Sequence, residues 1–346
     1  MVGDPSGRSE ERNLLAAETL AHNVSRIESQ LQRLLDFSPG KFRATLVNNA
    51  DWTAGISALE FLRDVGKHIT VNQMLAKDSV KSRLGSEHGL SYTEFSYMLL
   101  QANDFRHLAA VHDVELQMGG SDQWGNITAG IDLIRKTLGR SAHGLTWPLV
   151  TKSDGTKFGK TADGAVWLDP ARTSPYQFRQ FWVQQADADV ARYFPQFSLR
   201  PIAECREILT AHASKPELRE AQRLLAHEIT ALVHGDDAAR AADEVAAILF
   251  GGDPTQASAA GFAAIAHEVP SSKLSNLPDD MAQLLVDTSV CGSKSEARRT
   301  IEQGGVRLNG AVVSLDTKPA EVAPLHARYL LLRRGKTTYH LIDRGA

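Results

Sequence analysis

The stretch Leu116–Ile127 constrains the fold more than any other part of this 346-residue chain. A short apolar strand breaks there at Gly119 and Gly120, and apolar residues at helical spacing then predict a helix over Trp124 to Leu138. Paired glycines let the backbone approach a ligand, and the first N–H groups of a helix face the same point. Asp122 and Gln123 stand at this corner, where open α/β sheets bind their ligands. A tight turn with an Asx cap has the same spacing, so the pattern alone leaves both interpretations open.

Composition excludes several classes of protein. Hydrophobic residues make up 42% of the chain and charged residues 23%, and no apolar run approaches the ~20 residues of a membrane helix. We therefore expect no membrane partner. Cys205 and Cys291 are isolated from each other and from any Cys/His cluster, which indicates reduced thiols in a cytoplasmic protein.

Charge is distributed unevenly along the chain. From Cys291 to Ala346 there are ten Lys and Arg residues against five Asp and Glu residues, a net charge of +5, whereas the whole chain carries −3. A small basic module on an acidic body indicates a polyanionic partner that binds at this end. A basic face that is merely solvated would give the same count.

One predicted helix, Tyr92 to Val111, carries a polar stripe. Tyr97, Gln101 and Asp104 are spaced i, i+4 and i+7, so their side chains project from one face. These three groups can converge on a small polar ligand. Plain amphipathicity, with the stripe in water, is the competing interpretation.

Two loops carry clustered cations. Near the N-terminus, Gly3–Gly7 has turn composition, and Arg8 and Arg12 follow as the chain enters a helix predicted over residues 11–35. After a strand predicted over residues 144–150, three lysines lie in a Gly/Ser/Asp-rich loop: Lys152, Lys157 and Lys160. An exposed basic loop without a ligand is the alternative for these lysines.

Further elements follow from pattern. A short strand is predicted over Ala44–Asn48, with a turn over Asn49–Trp52 after it. Helices are predicted near residues 175–184, 200–210, 216–234 and 237–249, followed by a linker over 251–279. Order resumes with two short helices at 281–287 and 294–303, a hairpin around Asn309-Gly310, and strands at 329–333 and 338–342.

Three motifs carry a resemblance to a known family. Gly-Gly-Ser-Asp-Gln-Trp-Gly-Asn at 119–126 resembles the signature of bacterial tyrosyl-tRNA synthetases, a class I family, and Lys-Phe-Gly-Lys-Thr at 157–161 resembles its second signature. Residues 293–306 resemble an S-four-like RNA-binding fold. The resemblance implies an α/β fold in which an incomplete Rossmann-like catalytic domain (1–173) precedes an α-helical anticodon-binding domain (174–250). The linker (251–279) and a small α+β S-four-like RNA-binding domain (280–346) would complete the chain.

The resemblance also implies substrates and residue roles. L-tyrosine, ATP with Mg²⁺, and tRNA(Tyr) would be the ligands, and a segment at 65–72 resembles the surroundings of a homodimer interface. Each role falls on a residue that matches a family motif. Tyrosine would be held by Asp4, Tyr97, Gln101, Asp104 and Gln123; ATP by Gly120, Asp122 and Lys160; the departing phosphates by Arg8, Arg12, Lys157, Lys160 and Thr161; and RNA by Lys294, Arg298 and Arg299.

One departure from the family pattern leaves two functions open. No His-x-Gly-His sequence, the first class I signature, occurs in the 346 residues, so we expect an N-terminally shortened form. The alternative to an active enzyme is a catalytically inactive relative that binds tRNA or another RNA. Tyrosine-dependent ATP–pyrophosphate exchange, with this chain and with a version extended upstream, separates the two. A tryptophan enzyme is disfavoured because Asp104 and the S-four-like tail resemble the tyrosyl family.

Overall fold

The computed structural model describes residues 2–4, 15–77, 80–81, 90–156, 158–161 and 164–345, with only the backbone of residues 160 and 161. It divides into two compact units, Met1–Phe158 and Gly159–Ala346. Across the described ranges, no helix has the length and apolarity needed to cross a membrane.

The first unit contains a parallel βαβ arrangement. Strands β1 and β2 pair in parallel from Leu116 opposite His143 to Gly120 opposite Trp147, and α6 connects them. Parallel neighbours require a crossover connection of this kind. The described elements of this unit are α1 Ala17–Leu31, α2 Ala50–Thr53, α3 Ala58–Asp64, α4 Val71–Leu75, α5 Tyr92–His112, β1 Leu116–Gly120, α6 Trp124–Leu138 and β2 His143–Trp147, with 3₁₀ turns at Gly66–His68 and Ser121–Gln123.

Close packing of α5 against α6 places the polar stripe beside the glycine corner. Phe105 on α5 is fully buried, and a Cβ added to Gly130 on α6 would lie 2.9 Å from its Cδ1 atom. Ser91 caps the start of α5 by accepting a hydrogen bond from the Glu94 N–H. Gly139 ends α6 in the left-handed conformation that glycine adopts most easily. The predicted bounds of both helices are confirmed within one residue.

The strand predicted over Ala44–Asn48 is wrong. This segment is irregular and mostly exposed. The Asn48 side chain instead accepts a hydrogen bond from the Ala50 N–H at 3.0 Å, which starts the turn into α2. An Asn side chain that bonds to nearby backbone favours turns over strands. In the predicted N-terminal helix, the described part is helical over Ala17–Leu31.

The second unit joins a helical bundle to a five-stranded sheet of order β5-β9-β8-β6-β7, in which only β5 and β9 pair in parallel. Its described elements are β3 Lys160–Thr161, β4 Gly164–Ala165, α7 Pro175–Val183, α8 Asp187–Phe197, α9 Ile202–Ser214, α10 Glu220–His234, α11 Asp236–Leu249, α12 Ala259–Ile265, β5 Ser271–Lys273, α13 Met281–Asp287, α14 Lys294–Glu302, β6 Val306–Leu308, β7 Ala311–Val312, β8 Tyr329–Arg334 and β9 Thr338–Asp343, with 3₁₀ turns at Pro216–Leu218, Pro254–Gln256 and Pro319–Glu321.

The segment predicted as a linker, 251–279, is instead packed structure. It contains α12 and β5, and Phe262 and Ile265 on α12 have no exposed surface. These residues share one hydrophobic core with Val245 on α11 and Leu341 on β9. The small residues of this segment, which indicated a linker, are equally compatible with a short helix such as α12 that packs closely on its neighbours. Helix α8, which contains Pro195, was also not predicted.

An ion pair at the C-terminal end of β9 makes the stability of the protein depend on pH. Arg328 donates to both carboxylate oxygens of Asp343, at 2.8 and 2.7 Å. These bonds lower the pKa of Asp343 to about 2. Since its pKa is lower in the folded protein, the stabilisation is present above the usual value of 3.8 and is lost as the pH falls toward 2.

We therefore expect Asp343→Asn to lower the free energy of unfolding at pH 6 by about 1 kcal/mol or less, the range of exposed ion pairs. The difference from wild type should shrink between pH 4 and pH 2. Urea unfolding of both proteins at several pH values measures this difference in the free energy of unfolding. Asp316→Asn, which changes an exposed carboxylate in the same domain, is the control. A difference that stays constant down to pH 2 would contradict the role of the pair.

Candidate functional site

The corner predicted between β1 and α6 is confirmed, and its glycines are required by close contacts. A Cβ added to Gly120 would lie 2.6 Å from Oδ1 of Asp122 and 2.7 Å from Cδ2 of Leu149. A Cβ on Gly119 would lie 3.2 Å from Cβ of Gln123. Any larger residue at 120 would displace the Asp122 carboxylate, so the absence of a side chain there keeps the corner open.

A network of amide side chains lies at the start of α6. Asn126, which is fully buried, donates through Nδ2 to Oε1 of Gln101 at 2.8 Å and to Oε1 of Gln123 at 3.2 Å. Gln123 donates through Nε2 to Asp4 at 2.8 Å and to Asp122 at 3.2 Å. We call these five residues, together with Lys77, the amide cluster.

Lys77 supplies the positive charge of the amide cluster. Its Nζ atom donates to Oδ1 of Asn126. Burial lowers the pKa of Lys77, while the nearby carboxylates of Asp4 and Asp122 act in the opposite direction. The cluster therefore combines one partly buried ammonium, two carboxylates and three amides, an arrangement suited to a ligand that carries both charges.

Asp104 lies in a second group one turn further along α5. Its two carboxylate oxygens accept hydrogen bonds from Nδ2 of Asn49 at 2.9 Å and from Nε1 of Trp52 at 2.8 Å. The Trp52 ring stacks on His107, with ring centroids 4.4 Å apart. Burial lowers the pKa of His107. Both donors to Asp104 are neutral side chains, and together they fix the position of its carboxylate.

The structure brings some of the predicted site residues together and leaves others apart. Asp4, Gln101 and Gln123 are joined in the amide cluster, whereas Asp104 belongs to the second group on the same helix. Tyr97 is half-buried one turn before Gln101. Lys160 and Thr161 form β3 through their backbones. The remaining predicted cations, Arg8, Arg12 and Lys157, lie outside the described residues.

Sequence reasoning missed four residues of these groups. Asn126 was inside the recognised motif, and Asn49 and Trp52 were assigned only to a turn. The side chains of Asn49 and Trp52 can be located only once α2 and the residue before it pack on α5. Lys77 gave no signal, because 49 positions separate it from Asn126.

Metal binding has no support in the described ranges, where no three His, Cys, Asp or Glu side chains come together as a ligand set. The Mg²⁺ implied by the resemblance stays an expectation, and we derive no step through it.

A basic helix face lies in the C-terminal sheet domain. Ser293 caps α14, and Lys294, Arg298 and Arg299 on this helix are exposed. Lys294 is 3.9 Å from the Asp280 carboxylate, a distance that leaves its ammonium largely available. The predicted Asn309-Gly310 hairpin is confirmed, with both residues at positive φ.

Comparison with known proteins connects both units to one family. The model of class I tRNA synthetases (W and Y) matches residues 1–251, and that of the tyrosine–tRNA ligase SYY-like C-terminal domain matches residues 261–342. The chain is 52% identical to a tyrosine–tRNA ligase of Roseiflexus castenholzii and 50% identical to one of Opitutus terrae. Both alignments cover 99% of this chain and 82% of the relative.

A solved structure agrees with these matches. The C-terminally truncated mitochondrial tyrosyl-tRNA synthetase of Aspergillus nidulans has a TM-score of 0.62 and 32% identity, over 72% of this chain and 73% of that one. With family models over most of the sequence and relatives at about half identity, the chain belongs to the tyrosyl-tRNA synthetases of class I.

Proposed function

We propose that this chain is a tyrosine–tRNA ligase that activates tyrosine with ATP and transfers the tyrosyl group to tRNA(Tyr). Its relatives carry that name, and its alignment with them covers 99% of its own length. The observation that carries the proposal is that a held carboxylate, Asp104, lies one helical turn after Gln101, the residue through which α5 joins the amide cluster. Tyrosine needs both, because it has a phenolic hydroxyl at one end and an ammonium at the other.

The phenolic hydroxyl would donate to Asp104. This carboxylate already accepts from Asn49 and Trp52, which fix its orientation without neutralising it. The α-ammonium of tyrosine would be attracted to Asp4, which Gln123 holds, and would also meet Tyr97 and Gln101. The two groups would then bind the two polar ends of one substrate.

Activation needs no covalent enzyme nucleophile. An oxygen of the tyrosine carboxylate forms a bond to the α-phosphorus of ATP, and the bond from that phosphorus to the pyrophosphate oxygen breaks. Catalysis of such a step relies on positioning and on stabilising the charge that develops on the phosphates. Gly120 and Asp122 would lie near the ATP ribose. The departing pyrophosphate would meet Arg8, Arg12, Lys157, Lys160 and Thr161.

Tyrosine-dependent ATP–pyrophosphate exchange tests this proposal. Wild type should exchange only when tyrosine is present. Gln123→Ala, which removes the support of Asp4, should raise the KM for tyrosine about tenfold, the effect of one hydrogen bond to a charged group. Gln32→Ala, on the exposed end of α1, is the matched control. Absence of exchange, with tRNA binding retained, would instead favour the RNA-binding relative without catalysis.

The basic face of α14 would bind tRNA phosphates. We expect the triple variant Lys294→Ala, Arg298→Ala, Arg299→Ala to weaken tRNA(Tyr) binding about 10–100-fold at 0.1 M salt and to reduce the salt dependence by about one phosphate contact per residue. Filter binding at several salt concentrations measures both quantities. The matched control removes three exposed cations of the first unit: Arg33, Lys41 and Arg43. Unchanged tRNA affinity with unchanged pyrophosphate exchange would contradict this role.

Self-association is also part of the proposal. Leu59, Leu62 and Val71 are 80%, 51% and 59% exposed near the segment that resembles a family dimer interface. A second copy of the chain would cover these exposed apolar side chains in a dimer. Sedimentation equilibrium should give a homodimer, and Leu59→Glu should shift it toward monomer. We place this assembly in the cytoplasm, with the translation apparatus.

A further inference from the structure

We propose that Lys77 is a positioning residue of the tyrosine site, whose ammonium sets the orientation of the amides that hold Asp4. This inference rests on the proposed function and deepens it. Lys77 matches none of the motifs that assign residues to tyrosine or ATP. It follows α4 in the chain and reaches the first turn of α6 from a different part of the fold.

The path of the Lys77 side chain is closely fitted. A Cβ added to Gly125 would lie 3.0 Å from Cε and 3.1 Å from Cγ of Lys77, so the lysine stem crosses α6 where a glycine leaves room. An alanine at 125 would force the stem to shift by a few tenths of an ångström. The ammonium at the end of this stem reaches Oδ1 of the buried Asn126.

The chemistry of the amide group carries the argument. An ammonium only donates hydrogen bonds, whereas an amide accepts at its oxygen and donates at its nitrogen. Lys77 therefore holds the oxygen of Asn126, and the Asn126 NH₂ group must point to the oxygens of Gln101 and Gln123. Because the Gln123 oxygen is directed to Asn126, its NH₂ group faces Asp4. Lys77 thus fixes the orientation of the amides from one end, while the carboxylates of Asp4 and Asp122, which accept from Gln123, fix it from the other.

Loss of the ammonium would remove this constraint. The Asn126 amide could then turn over and present its NH₂ group toward residue 77. Gln123 would be free to turn with it and to place its oxygen against Asp4, where two acceptors repel. The Asp4 carboxylate would then lose the hydrogen bond from Gln123. A purely structural tether between the segment after α4 and α6 would instead affect stability without affecting tyrosine recognition.

Lys77→Met keeps the stem and removes the ammonium. We expect it to raise the KM for tyrosine in pyrophosphate exchange about tenfold, as expected for the loss of one hydrogen bond to a charged group, with kcat and the KM for ATP within about twofold. K77R should restore part of the tyrosine affinity. The matched control, K81M, changes an exposed lysine one turn away whose N–H bonds to the Lys77 carbonyl. A tyrosine KM within twofold of wild type, together with lowered stability, would overturn the proposal.

A double-mutant cycle tests the relay itself. If Lys77 acts through Gln123, then K77M combined with Q123A should raise the tyrosine KM by clearly less than the product of the two single effects. The cycle of K81M with Q123A should show multiplicative effects. Multiplicative effects in the Lys77 cycle would show that the two residues act independently, which would overturn the relay.

A ligand-free measurement separates failure of this inference from failure of the proposed function. If wild type neither exchanges pyrophosphate nor binds tyrosine in calorimetry, the proposed function fails. The orientation of the amides can still be read from the side-chain ¹H–¹⁵N resonances of Asn126 and Gln123, identified by substitution. K77M should shift both sets of resonances and K81M neither. Unshifted resonances in K77M would refute the inference whether or not the chain is active.

Discussion

Replacing Asp104 by asparagine is expected to reduce the preference for tyrosine over phenylalanine about 10–100-fold in kcat/KM, the equivalent of about 1.4–2.8 kcal/mol for a charge-assisted hydrogen bond. The variant has the same shape, but its amide cannot accept on both sides. Asn49 and Trp52 both donate to this side chain, so an NH₂ group at 104 would face one of them. The site would then lose both the charge and the fixed orientation that the phenolic hydroxyl requires.

Competition between tyrosine and phenylalanine in pyrophosphate exchange measures this effect. Asp113→Asn is the matched control, because Asp113 ends the same helix with 86% of its side chain exposed. It adopts the left-handed conformation that asparagine also tolerates. Trp52→Phe should change the preference in the same direction by a smaller factor, since the stacking on His107 is kept and one donor is lost. An unchanged preference in Asp104→Asn would remove this residue from the tyrosine site.

Replacing Phe262 by alanine is expected to lower the free energy of unfolding of the second unit by about 3–5 kcal/mol, the usual cost of removing a buried aromatic ring. The ring has no exposed surface and stacks on Tyr329, with centroids 5.7 Å apart. It belongs to the core that joins α11 and α12 to strands β8 and β9. A true linker residue would cost almost nothing.

Urea unfolding followed by circular dichroism measures this change, and the transition of the second unit should move to lower urea. Phe250→Ala is the matched control, because this residue is 81% exposed and follows α11 directly. Its effect should stay within about 0.5 kcal/mol, as for most surface substitutions. A loss below 1 kcal/mol for Phe262→Ala would restore the linker interpretation of residues 251–279.

Local pattern was enough to locate several elements. The bounds of α6 follow from apolar residues at helical spacing and from Gly139, which ends the helix. Both signals depend only on residues that are close together in the sequence. The hairpin at Asn309-Gly310 is similar, because only certain residues adopt two consecutive positive φ angles. The strand predicted at Ala44–Asn48 failed for the opposite reason, since strands form through partners and an Asn side chain can open a turn instead.

In the candidate site, too, some features follow from local sequence and others depend on contacts between distant segments. The sequence by itself determined the family, the glycine corner and the polar stripe of α5, because each is a set of neighbouring or helically spaced residues. Only the tertiary structure decided that Asn49 and Trp52 hold Asp104 and that Lys77 reaches Asn126, contacts that span 55, 52 and 49 positions. Such partners are set by the packing of separate segments around one helix pair, and packing depends on the whole set of buried side chains at once. A pattern of neighbouring residues therefore cannot predict these contacts.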